Sequence, residues 1–210
     1  MRKLLLAAVA VFSLAVTNSF AQPVHRFGVK LGVAVSDQQF NYTSFSSGFD
    51  QIVGTNMAVS VEWLSSRHFN ILTEFHFVQK GMTERQIATG ESGPDPVGEL
   101  TFKNRVNYFS VPILAKLSLL SNRVFSPYLV AGPRVDFKLG YESTFFGDVY
   151  KDFKRVTYGA SVGLGTELKV SNNFSSLLEV RFSPDFANAY ASDLLTVRNQ
   201  ALEFLFGVKF

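Results

Sequence analysis

Eight stretches of the chain place apolar side chains at every second position, and this period of two constrains the fold more than any other feature. Successive side chains of an extended strand point to opposite faces, whereas a helix repeats every 3.6 residues, so the pattern specifies strands with two chemically different faces. Between Arg26 and Val35, Phe27, Val29, Leu31 and Val33 alternate with Gly28, Lys30, Gly32 and Ala34. Met57, Val59, Val61 and Trp63 alternate with Ala58, Ser60 and Glu62; beyond a turn at 65–68, Phe69, Ile71, Phe75 and Phe77 alternate with Asn70, Glu74 and His76. Five further runs cover 108–119, 128–140, 155–170, 178–183 and 201–210.

The connections between these runs alternate in length. Those near 65–68, 120–126 and 171–174 are short, while 36–54, 81–104, 142–153 and 184–199 are long and rich in Ser, Gly, Asp and Asn. Short turns at one end and long loops at the other describe an up-and-down barrel crossing an outer membrane, turns periplasmic and loops outside. A tilted strand needs only ~9–11 residues to cross the apolar layer. The predicted fold is all-β: an eight-stranded antiparallel up-and-down transmembrane β-barrel.

Alternation alone does not say which face meets solvent, and aromatic placement argues for lipid outside. Phe27, Trp63, Phe69 and Phe210 sit toward the turn end of the apolar face, and Phe77, Phe109, Phe137, Tyr158 and Phe182 toward the loop end. Two aromatic girdles at the headgroup levels are what a bilayer selects. The opposite face carries mixed charges beside glycine: Lys30, Glu62, Glu74, Lys116, Arg134, Asp136, Lys138, Arg155, Glu167, Lys169, Glu179, Arg181, Glu203 and Lys209. An eight-stranded interior is about wide enough for side chains alone, so such charges are expected to pair in a closed lumen.

The N-terminus reads as an address. Arg2 and Lys3 precede an apolar stretch from Leu4 to Val16, and Ser19 and Ala21 place small residues before Gln22. This is the order of a secretory signal peptide over 1–21, leaving a barrel domain over 22–210. Its removal takes away two bases and lowers the net charge from +3 to +1, so there is no basic field to collect nucleic acid. The lack of Cys excludes disulfides and thiolate chemistry.

Chemistry-bearing constellations are sparse. His25, His68 and His76 stand apart without metal-ligand spacing. His76, beside Glu74 on the lumen face, is the one candidate general base, yet no Ser or Asp is spaced to complete a triad, so a hydrogen-bonded lumen residue is the preferred reading. No catalytic, cofactor or metal site is expected. In the first long loop Phe40, Tyr42, Phe45 and Phe49 lie among Ser, Gln and Asn, a composition suited to contacts with a partner or with outer-leaflet sugar.

Phe27-Gly-Val-Lys-Leu-Gly32, the stretch from Tyr108 to Lys116 with its Ser-Val-Pro, Pro127-Tyr-Leu-Val-Ala-Gly-Pro133, and the closing Glu203 to Phe210 together resemble the PorT-like outer-membrane β-barrel family, porin-like barrels of OmpA or OmpX size and Bacteroidetes type. Phe204, Phe206, Val208 and Phe210 also resemble the terminal signal read by the barrel-assembly machinery. The resemblance implies a Gram-negative outer-membrane location and lipid as surroundings. Its named member belongs to a secretion and gliding apparatus, and the family supplies no catalytic residue.

The function expected is a non-enzymatic structural or interaction component of the envelope, with a secretion-system protein as one candidate partner. A lipid-modifying enzyme using His76 and a narrow channel stand as alternatives.

Overall fold

The computed structural model describes residues 24–42, 46–48, 50–64, 66, 68–89, 96–120, 124–144, 147–171, 174–192 and 194–210. The expected leader over 1–21 lies outside them. The described residues form β1 (Val24–Tyr42), β2 (Ser46–Gly48), β3 (Ile52–Trp63), β4 (Phe69–Thr89), β5 (Pro96–Ser118) and β6 (Phe125–Ser143). A short helix α1 (Gly147–Lys151) precedes β7 (Val156–Lys169), β8 (Ser175–Pro184), β9 (Tyr190–Ala191) and β10 (Leu195–Lys209).

Eight long strands follow one another antiparallel as β1-β3-β4-β5-β6-β7-β8-β10, and β10 pairs back onto β1, so the sheet closes on itself. The closing ladder runs from Gly28 opposite Lys209 to Tyr42 opposite Leu195. Phe210 N–H donates to Phe27 O at 2.9 Å and extends it at the turn end. The short β2 and β9 add to β1 and β10 near the loop end. Closure leaves the eight-strand wall without an unpaired edge, which lipid would not tolerate.

The barrel is inside-out. Lys30 is 1% exposed and its neighbour Leu31 55%; Arg181 is 1% exposed and Phe182 43%. Charged and small residues fill the interior while Val, Leu, Ile and Phe coat the outside, an apolar belt that belongs in a bilayer. Phe75, Phe109 and Phe137 form an outward row across β4, β5 and β6, with neighbouring centroids 6.2 and 6.4 Å apart. At the turn end Trp63 Nε1 donates to Thr73 Oγ1 at 3.0 Å, and the Phe174 and Phe210 rings meet at 5.7 Å.

Two expected loops are largely strand. The backbone ladder of β1 continues along β10 through 36–42, and β4 and β5 stay paired from Gly81 opposite Arg105 to Thr89 opposite Pro96. Beyond the bilayer no apolar face is required, so the alternation that marks a lipid-facing strand stops while the hydrogen-bonded ladder goes on.

Candidate functional site

In an eight-stranded barrel, inward residues from alternate strands reach the same level and stack in layers. At the turn end this brings Glu62 of β3, Lys116 of β5, Glu167 of β7 and Lys209 of β10 into a square of alternating charge. Lys116 Nζ lies 3.2 Å from Glu62 Oε1 and also bonds Glu167. Lys209 Nζ donates to Glu167 Oε1 at 2.6 Å and bonds Glu62 as well. Asn70 Nδ2 donates to Glu62 Oε1 at 2.8 Å.

The middle layer is wired through Glu74 and Glu179. Lys30 Nζ bridges them at 2.7 and 2.9 Å. Arg181 donates through Nη1 to Glu74 Oε2 at 2.8 Å and through Nε to Glu179 Oε1 at 2.8 Å. Tyr128 donates to Glu179 Oε2 at 2.8 Å. It reaches over β7 to β8 because its paired neighbour there is Gly165: a Cβ at that position would lie 2.5 Å from the Tyr128 Cζ.

His76 belongs to the same layer. Its Nε2 is 2.7 Å from Glu74 Oε2 and its Nδ1 is 2.9 Å from Asn56 Oδ1, while Asn56 Nδ2 donates to Glu203 Oε2 at 3.0 Å. Both ring nitrogens therefore face acceptor oxygens, an arrangement that the imidazolium satisfies by donating twice. In the same layer Lys30 and Arg181 offset Glu74 and Glu179.

Above it, Lys80 Nζ reaches Asp136 Oδ2 at 2.6 Å and Asp185 Oδ1 at 3.3 Å. Arg134 Nε lies 3.0 Å from Asp136 Oδ1, and its Nη2 bonds Asp185. Asn199 Nδ2 donates to Asp185 Oδ2 at 3.0 Å, and Gln38 Nε2 to Asn199 Oδ1 at 2.7 Å. Opposite charges balance here too, the condition under which buried ions are tolerated.

An apolar cap closes the loop end, formed by Phe40, Met82, Val106, Tyr150, Phe153 and Val197 among others. The chain between β6 and β7 folds inward to supply Tyr150 and Phe153, whose rings lie 4.7 Å apart. Tyr150 donates to Gln38 Oε1, and burial pushes its hydroxyl above the usual tyrosine range. Lys138 Nζ holds α1 by donating to the carbonyls of Tyr150 and Lys151 at 2.9 and 3.0 Å. Within the lumen, the space bounded by His76, Ser110, Arg134, Arg181 and Glu203 has no water-sized void. At the turn end, by contrast, a cavity of about 260 Å³ opens beneath the Glu62–Lys116–Glu167–Lys209 square.

Three residues expected in the lumen network lie elsewhere. Lys138 is half-buried against α1, Arg155 is exposed just before β7, and Lys169 is exposed at the turn-end mouth. Arg155 and Lys169 keep inward parity at strand ends, where the wall they would face has stopped, whereas Lys138, still within β6, is taken up by α1. Phe40, expected as a loop contact, is buried in the cap; Tyr42 ends β1, and Phe45 and Phe49 lie outside the described residues. Phe204, Phe206 and Phe210 are exposed on the outer face, with Val208 partly covered. The sequence reading missed Lys80, Asp185, Asn56, Gln38 and Asn199. Lys80 continues the parity of Glu74 and His76, so extending that run by one pair finds it. Among the described residues no group of three His, Asp or Glu is placed to hold a metal.

Solved structures share this architecture at low sequence identity. The outer-membrane protein OprG of Pseudomonas aeruginosa is 11% identical, with 88% of this chain and 95% of that one covered and a TM-score of 0.50. Neisserial surface protein A is 14% identical, covering 88% and 97%, with a TM-score of 0.47. Ail of Yersinia pestis, solved with the heparin analogue sucrose octasulfate, is 14% identical, covering 88% and 98%, at 0.42. No curated protein matches the chain. Residues 20–191 match the family described as outer membrane protein beta-barrel domain. By that match, and by a closed ring of eight strands with an apolar outer face, the chain belongs to the outer-membrane β-barrel family.

Proposed function

We propose that this barrel is a non-enzymatic structural and interaction component of the outer membrane, whose extramembrane segments engage another envelope protein. The observation that carries the reading is the filled lumen: three ion-paired layers under an apolar cap, with no water-sized void in the middle. A filled interior offers no path for solute and serves instead as a rigid pillar for what it displays outside. The same packing argues against an enzyme centred on His76, because both ring nitrogens are already engaged, by Glu74 and Asn56, inside a filled layer that leaves no room for a substrate.

Within this reading the PorT-like resemblance favours a secretion-associated partner. Extraction of native membranes in mild detergent tests it. One envelope protein is expected to co-purify in fixed stoichiometry and to be lost when the β4–β5 hairpin is shortened. A barrel that purifies alone from both strains overturns the proposal.

A further inference from the structure

The turn end of the barrel carries an opening that the ion-pair layers do not explain. Its roof, the Glu62–Lys116–Glu167–Lys209 square, is neutral by itself, and each carboxylate there already has two ammonium partners. The walls add cations without matching anions. Arg26 comes no nearer than 3.8 Å to Glu167 Oε2, outside hydrogen-bond distance, and Lys169 makes no ion pair among the described residues.

Two further observations point the same way. The ladder between β1 and β3 shifts register between Val24 and Arg26, a bulge that turns His25 into the cavity wall beside Arg26, with the Ser118 hydroxyl also on that wall. Bulges of this kind re-aim a side chain at a barrel rim. Ser66 and the Asn70 amide also line the cavity, and the carboxylates among its described lining residues are Glu62 and Glu167 of the roof. The mouth is therefore donor-rich and positively charged, and a recess with low-dielectric walls concentrates such a field.

We propose that the turn-end vestibule is an oxyanion site, taking a carboxylate or phosphate group from the turn side, with Arg26 and Lys169 as its charge partners and Ser118 as a hydroxyl donor. A volume of about 260 Å³ accommodates a small polyanion or the acidic end of a larger ligand. In barrels of this class the short turns face the periplasm, so the ligand is a periplasmic one. The site does not depend on the interaction role of the loops.

The test uses the full barrel in detergent micelles at fixed ionic strength, titrated with inorganic phosphate in one arm and citrate in the other, with chloride as control. Backbone amide shifts of His25, Arg26, Ser118 and Lys169 are expected to move and saturate in at least one arm, and the arm that saturates identifies the group. Arg26→Gln/Lys169→Gln, checked for folding by heat-modifiable gel migration, is expected to bind about tenfold more weakly or worse, the loss of a charge-assisted hydrogen bond. Linear, non-saturating shifts in both arms, or unchanged affinity in the folded double variant, overturn the proposal.

Discussion

Arg181 of β8 and Glu74 of β4 meet across the full width of the barrel, Nη1 to Oε2 at 2.8 Å, from strands on opposite sides of the ring. Lys30 and His76 converge on the same carboxylate. One side chain thus ties three strands of the wall together, β1, β4 and β8, and sets the level of the middle layer.

Removing one partner of such a network leaves a buried charge uncompensated, at a cost of about 3–5 kcal/mol. Glu74→Ala is expected to lose that much in denaturant unfolding from micelles. Glu74→Met/Arg181→Met is expected to lose less than the sum of the two single changes, because the double variant removes both charges. Additive losses would show that the two residues do not act as a pair.

Gly165 and Tyr128 make a steric pair. A Cβ at position 165 would meet the Tyr128 ring carbon at 2.5 Å and its oxygen at 2.6 Å, so Gly165→Ala should displace Tyr128 from Glu179. Overpacking of this kind costs about 1–3 kcal/mol. Adding Tyr128→Leu should recover most of the loss in an unfolding titration; no recovery would place the strain elsewhere.

Much of this was legible in the alternation, and the limits of legibility follow the bilayer. Where a strand faces lipid, as from Phe27 to Val35 or Leu202 to Phe210, the apolar period reports both the strand and its inner face, so Lys30, Glu62, Glu74, Arg181 and Glu203 were found by parity alone. Above the lipid the period stops, and 36–42, 81–89 and 96–104 read as loop although they remain paired. For the same reason the sequence places Phe40 among surface loop aromatics, whereas it fills the cap. Asp185 was hidden in a segment rich in polar residues, and its partners Lys80 and Arg134 come from distant parts of the chain. Parity also carries Arg155 and Lys169 past the end of the wall, where it has no meaning, and does not show that α1 takes up Lys138.

On the proposed reading the cap and the ion-pair layers each suffice to close the lumen. The barrel in planar bilayers is expected to show no discrete conductance, and Tyr150→Ala/Phe153→Ala is expected to remain silent because the charged layers below stay closed. Reproducible steps in the double variant alone would assign the seal to α1 and its neighbours.

The leader reading has a direct check. Mass spectrometry of the protein taken from membranes is expected to find Gln22 as the first residue; a mature chain that retains 1–21 would contradict it.

The central claim is an inside-out barrel with a dry, sealed interior, and paramagnetic broadening in the NMR spectrum of the unaltered protein in lipid tests it most directly. A nitroxide on the lipid chains should broaden the side-chain signals of Leu31, Leu129 and Leu164. The His76 ring and Arg181 guanidinium should be untouched by that probe and by a water-soluble gadolinium chelate. Broadening of His76 and Arg181 by the chelate would mean an open, wet lumen, and broadening of the outer leucines by it would mean that the apolar face does not lie in lipid.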